Sequence, residues 1–210
     1  MRENRRRFWM VTLVRGGLAI LAGCFVMVTA DLDRTILLVS VGVAVAVATL
    51  AVYGMVDSVL LLASSAVYPH RWPRTVMQLQ GIAGLSVGVL LLTLLFDHAG
   101  VEWFLPLAVV QAFSTAGGEF LLLKHNRARR WAAWDFAGAF VATCFGFAYT
   151  TLRIRSGTAF SPAELATAIY LYLLLFGLAQ TATALRMLLF RAGSLSRGLD
   201  FSSGSKLSRQ

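Results

Sequence analysis

The stretch LVRGGLAILAG, residues 13–23, sets a single arginine among small and apolar neighbours. Upstream stands the basic start MRENRRRFW, and downstream the apolar run continues through residue 30. A cleaved signal peptide has an apolar region of about 7–15 residues before its cleavage site. This run is longer and Arg15 interrupts it, so the segment reads as a retained first transmembrane helix. Lipid does not solvate an arginine, and such a helix has to bring Arg15 a partner of its own.

Composition places the rest of the chain in the same environment. Charged residues make up 14% of the 210 and hydrophobic ones 58%, with a mean hydropathy of +0.71. A soluble domain carries about 25% charged residues. The deficit is accounted for when most of the surface faces a bilayer. The net charge of +9 would suggest nucleic acid in a soluble protein. Here the cations stand in short segments between apolar runs, as topology signals do, so the expected partner is the lipid bilayer and not nucleic acid. Cys24 and Cys144 each lie inside an apolar run, form neither a CxxC nor a metal spacing, and read as small apolar residues.

A helical span takes about 20 apolar residues. Six stretches meet that length, residues 8–30, 35–67, 74–96, 101–124, 131–152 and 162–190. The second and sixth exceed it, which tilt or extension beyond the bilayer absorbs. Arginine and lysine gather before the first span (Arg2, Arg5, Arg6, Arg7), after the second (Arg71, Arg74), after the fourth (Lys124, Arg127, Arg129, Arg130) and after the sixth (Arg191, Arg197, Lys206, Arg209). Asp31, Asp33, Asp97 and Glu102 mark the opposite side, where Arg153 and Arg155 are the exception. Positive-inside counting puts both termini in the cytoplasm of a multi-pass inner-membrane protein. Trp9, Tyr68, Trp72, Trp131 and Trp134 are expected at the inner interface and Trp103 and Tyr149 at the outer one. Residues 192–210 are rich in serine and glycine and read as a flexible polar cytoplasmic tail behind a membrane domain of residues 1–191.

The first helix has an internal echo. RGGLAILAG from Arg15 lies over QGIAGLSVG from Gln80 and GAFVATCFG from Gly138, which aligns Gly23, Gly88 and Gly146. The second helix of each pair carries YGMVD to Asp57, TAGGE to Glu119 and FGLAQ to Gln180. The fold expected is an all-α integral membrane protein, six transmembrane helices as three repeated αα-hairpins in one bundle. The hairpins run over about residues 8–67, 74–124 and 131–190. Gly16, Gly23, Gly81, Gly84, Gly88, Gly117, Gly118 and Gly146 are the candidate packing positions, because membrane helices associate where small residues let backbones approach.

On Trp9, Arg15, Gly16, Gly23, Tyr53, Gly54 and Asp57, the chain resembles the HdeD family of bacterial inner-membrane proteins over about residues 8 to 190. The first repeat carries the likeness best. The second departs at Gln80 and Glu119, and the third has neither the arginine nor the acid. The resemblance implies a small helical membrane protein linked, in the family's namesake, to acid resistance.

Arg15 stands about 10 Å into its helix at 1.5 Å per residue, and Asp57 about ten residues before the end of the next. Antiparallel helices bring the two to one depth, where pairing relieves both charges. Asp135 and Arg186 stand in the corresponding relation in the third hairpin. Arg15, Asp57, Gln80, Glu119, Asp135, Gln180 and Arg186, with Gln78 and Gln111, form the expected polar cluster in the cytoplasmic half. It is either a set of pairs that fix helix register or a cavity for an ion, proton or small polar solute. No HExxH, GxSxG or GxxxxGK[ST] occurs, and His70, His98 and His125 lie in three different connections. No catalytic, cofactor or metal residue is therefore expected. The function expected is a non-enzymatic HdeD-type membrane protein acting in stress tolerance, and the alternative is a small transporter or channel. A homo-oligomer or a membrane-protein partner is compatible with either.

Overall fold

In lipid every backbone N–H and C=O has to be satisfied within its own segment, and an isolated span does so only as a helix. The computed structural model follows that rule. It describes the backbone of residues 2–36, 39–67, 70–96, 101–125, 132–155 and 162–204, with side chains for 9–30, 41–66, 70–96, 103–122, 137–155 and 164–189. The helices are α1 (Arg2–Ile36), α2 (Val39–Val67), α3 (Arg71–Phe96), α4 (Val101–His125), α5 (Ala132–Arg155) and α6 (Pro162–Gly204). Pro162 opens α6 and Pro73 lies in the first turn of α3, where a missing N–H costs nothing. Each helix holds a segment long and apolar enough to cross a membrane: Trp9–Ala30, Val41–Ala66, Arg71–Phe96, Trp103–Leu122, Ala137–Arg155 and Glu164–Leu189.

Several boundaries differ from the sequence reading: α1 begins at Arg2, α2 at Val39 and α3 at Arg71, and α5 runs on to Arg155. α1 does not stop at residue 30 but continues through Asp31 and Asp33 to Ile36. No glycine or proline stands there to end it. α6 runs on to Gly204, into the segment expected as a tail. That segment has no proline either, and its side chains beyond Leu189 lie outside the described residues.

The six helices form a ring. Each packs against its neighbours in sequence, α6 closes the ring on α1, and α2 also reaches α6. The three most extensive contacts are α1 with α6, α2 with α3, and α4 with α5. The hairpin pairs α1–α2, α3–α4 and α5–α6 are in looser contact. The tight seams thus join one hairpin to the next, and the pattern repeats three times around the bundle.

Glycine explains where the seams fall. A Cβ on Gly16 of α1 would stand 2.8 Å from the Thr181 amide nitrogen and 2.9 Å from the Gly177 carbonyl oxygen of α6. Gly23, two turns on, faces Leu174 of α6. In α3, Gly81 lies on Ser58 and Leu62, Gly84 on Ser58 and Gln111, and Gly88 on Ala51 and Met55. In α5, Gly146 is covered by the Phe113 ring of α4. Ala51, Phe113 and Leu174 stand at one position of the repeat, six residues before Asp57, Glu119 and Gln180. The three aligned glycines therefore occupy one place in three successive seams. Gly117 does not take part, since nothing lies within 4 Å of a Cβ there.

Apolar side chains fill the interior between these seams. Leu165, Ile169, Leu173, Phe176, Leu105, Ala19 and Ala142 are buried in it. Tyr149, expected at an interface, is 1% exposed. It packs on Phe145 and Tyr172, with ring centroids at 6.1 and 6.4 Å, and the burial of that aromatic group outweighs the interfacial preference of tyrosine. Trp72 and Trp103 do face outward, as do Leu21, Phe25, Phe140 and Phe147. Hydroxyls on the helices return to the carbonyl one turn back, as Thr49 does to Val45, Thr143 to Ala139 and Thr183 to Ala179, which satisfies them without water.

Candidate functional site

Arg15 lies in the interior of the bundle, 4% exposed. Its Nε donates to Asp57 Oδ1 at 2.5 Å and its Nη2 to Asp57 Oδ2 at 3.1 Å, a two-pronged pairing across α1 and α2. The remaining nitrogen, Nη1, donates to Glu119 Oε1 of α4 at 3.0 Å. Gln180 of α6 donates from Nε2 to the same oxygen at 3.2 Å. Four helices and all three repeats thus meet in one hydrogen-bonded assembly.

Planar guanidinium and carboxylate match in geometry, and charge-assisted bonds are the strong ones. Burial of Arg15 and Asp57 limits competition from bulk water for these bonds. The repeat explains the meeting point. Asp57, Glu119 and Gln180 are equivalent positions and face one interior. Arg15, Gln80 and Gly138 are equivalent on the partner helices, but only the first copy carries a cation. In the third copy the Gln180 amide fills the room at Gly138, where a Cβ would lie 2.9 Å from Nε2.

Gln80 is the part of the site that does not close. It is 6% exposed, and neither Oε1 nor Nε2 has a hydrogen-bond partner among the described residues. Its amide lies on Gly118, the residue before Glu119, where any Cβ would run into it. Further along the same seam the Gln111 amide is wedged against Gly84 and Gly54, and its Oε1 is also unpartnered. So is the buried hydroxyl of Tyr53, one turn before Asp57.

The structure brings together Arg15, Asp57, Glu119 and Gln180, and sets Gln80 beside them. Gln78 is partly buried on α3. Arg186 is partly buried on α6, and the side chain of Asp135 lies outside the described residues, as does any pairing between the two. Gly177, which meets Gly16 backbone to backbone, was not among the expected packing positions. Its signal was present in FGLAQ, aligned with YGMVD. Among the described residues no group of three His, Cys, Asp or Glu could hold a metal ion. No family model matches the chain, nor does any curated protein or solved structure.

Proposed function

We propose that the chain is a non-enzymatic, multi-pass protein of a bacterial inner membrane, of the HdeD type, with both termini in the cytoplasm and a role in tolerance of acid or related stress. The observation that carries this reading is the closure of the Arg15, Asp57, Glu119 and Gln180 assembly across four helices. A buried charge network of this kind fixes which helices meet and at what rotation. The bundle is then a locked scaffold, suited to holding its shape when the pH outside falls, because Arg15 and Asp57 are buried within it. The test is survival in acid of the source bacterium with the gene deleted. Survival should fall and should return when the wild-type chain is supplied. Equal survival of the deleted and parent strains would remove the stress role.

The alternative, passage of an ion or small polar solute, draws on one observation, the unpartnered amide of Gln80. A cysteine at position 80 distinguishes the two readings. Modification by a membrane-impermeant thiol reagent means an open path, and protection means a closed scaffold.

A further inference from the structure

The polar centre is not balanced in charge. Asp57 and Glu119 present two carboxylates to one guanidinium. Asp57 takes two of the guanidinium's three hydrogen bonds and is matched by it. Glu119 is the acid in excess. Both bonds it receives, from Arg15 and Gln180, end on Oε1, and Oε2 accepts none from the described residues. Arg15 is the cation that pairs with it. α2 contributes Asp57, α3 contributes Gln80, α5 contributes Gly138 and α6 contributes Gln180. An unmatched charge at this depth in a bilayer is costly, and a buried amide with both polar atoms unpartnered calls for a bound water or ion.

The two anomalies lie in the same repeat. Gln80 stands where Arg15 stands in the first repeat, and Arg15 reaches the acid of its own hairpin. The Gln80 amide rests on Gly118, the residue before the acid of its own hairpin, Glu119. The first hairpin supplies a guanidinium to its acid, whereas the second supplies a neutral amide with a free carbonyl oxygen. We propose that Glu119 and Gln80 hold a monovalent cation, which takes in the second repeat the part that Arg15 plays in the first. The ligands are oxygens, Glu119 Oε2 and Gln80 Oε1, the donor type that hard cations select. Water completes the shell and uses the free Gln111 Oε1 further along the seam. A single excess charge fits a monovalent ion; a divalent one would reverse the imbalance.

This inference rests on the closed polar centre proposed above and needs no transport. The test is thermal unfolding of the full chain in detergent, at one pH and one ionic strength, in sodium, potassium or choline chloride. Sodium or potassium at saturation should raise the midpoint over choline by about 2–4 °C. Glu119→Gln, which keeps the shape and removes the charge, should abolish the difference, and Gln80→Leu should reduce it. Sodium-23 line broadening on the wild-type chain, competed by potassium and not by choline, gives a second reading should Glu119→Gln not fold. One midpoint in all three salts overturns the proposal, and so does an undiminished sodium effect in Glu119→Gln. A proton as the balancing charge gives the first of these results. Failure of the closed-centre reading would appear separately, as thiol modification at position 80, and leaves the wild-type salt comparison readable.

Discussion

At the residue scale the decisive contact is Arg15 with Asp57. Each is buried, at 4% and 6% exposure, so neither charge has water to fall back on. Removing Arg15 strands both Asp57 and Glu119, and stranded buried charges cost about 3–5 kcal/mol, whereas removing Asp57 leaves Arg15 its bond to Glu119 and costs less. Arg15→Ala and Asp57→Ala should each lower the yield of folded protein in detergent and its midpoint of unfolding. The double change removes both charges of the pair and should recover part of the loss. Glu119 sets the limit of that recovery, because it loses its Arg15 bond in the double variant as well. An additive double variant would show that the two side chains act independently. Snorkelling of Arg15 toward the headgroups is the account such a result would favour.

At the element scale, stability resides in the seams between hairpins. Gly16 meets backbone atoms of α6, the Thr181 nitrogen and the Gly177 oxygen, which cannot move aside as a side-chain tip can. A Cβ on Gly88 would stand 3.0 Å from the Ala51 carbonyl oxygen of α2. Alanine at either position should force the helices apart and cost about 1–3 kcal/mol. Gly17 and Gly117 have open space around them. There alanine should be neutral or should stabilise by up to about 1 kcal/mol, through helix propensity alone. Unfolding midpoints of the four single variants decide it, and a penalty at Gly17 equal to that at Gly16 would contradict the seam assignment. The spacing of RGGLAILAG and its two echoes made the glycine positions legible in advance, and the matched depth of Arg15 and Asp57 made their pairing legible too. The partner of each seam was not. Helical periodicity identifies the face a residue occupies and is silent on which neighbour covers it, so nothing in the sequence put Gly23 against Leu174, 151 positions away. The burial of Tyr149 and the wedge of Gln111 between Gly54 and Gly84 were hidden for the same reason, since both depend on helices that come together only in the ring.

At the scale of the whole molecule the three hairpins share a backbone plan and differ in charge. The first holds a matched pair, the second an acid beside an amide, and the third an amide beside a glycine. A ring built this way has a defined interior, and its outer surface, with Leu21 at 68%, Phe140 at 69% and Ile154 at 77% exposure, is what lipid covers. Gly16 with Thr181 and Gly23 with Leu174 show that α1 and α6 run antiparallel, so the start of α1 and the later part of α6 share one end of the bundle. The polar centre lies nearer that end, since Arg15 is six residues from the start of the Trp9–Ala30 span and Gln180 nine from the end of Glu164–Leu189. In the proposed orientation, which follows the arginine count, that end lies in the cytoplasm. Labelling can check the assignment, because the two native cysteines lie within spans, Cys24 half-buried and Cys144 on the outer face, and serine replaces both without touching the polar centre. On that background a cysteine at Asp97 should react in intact cells with an impermeant maleimide. One at Arg127 should react only after the membrane is opened. Reaction at Arg127 and protection at Asp97 would turn the molecule over and place Arg15, Asp57 and Glu119 nearer the outer face. Both positions labelled alike would mean that the connections before and after α4 lie on one side, which a ring of six antiparallel spans forbids.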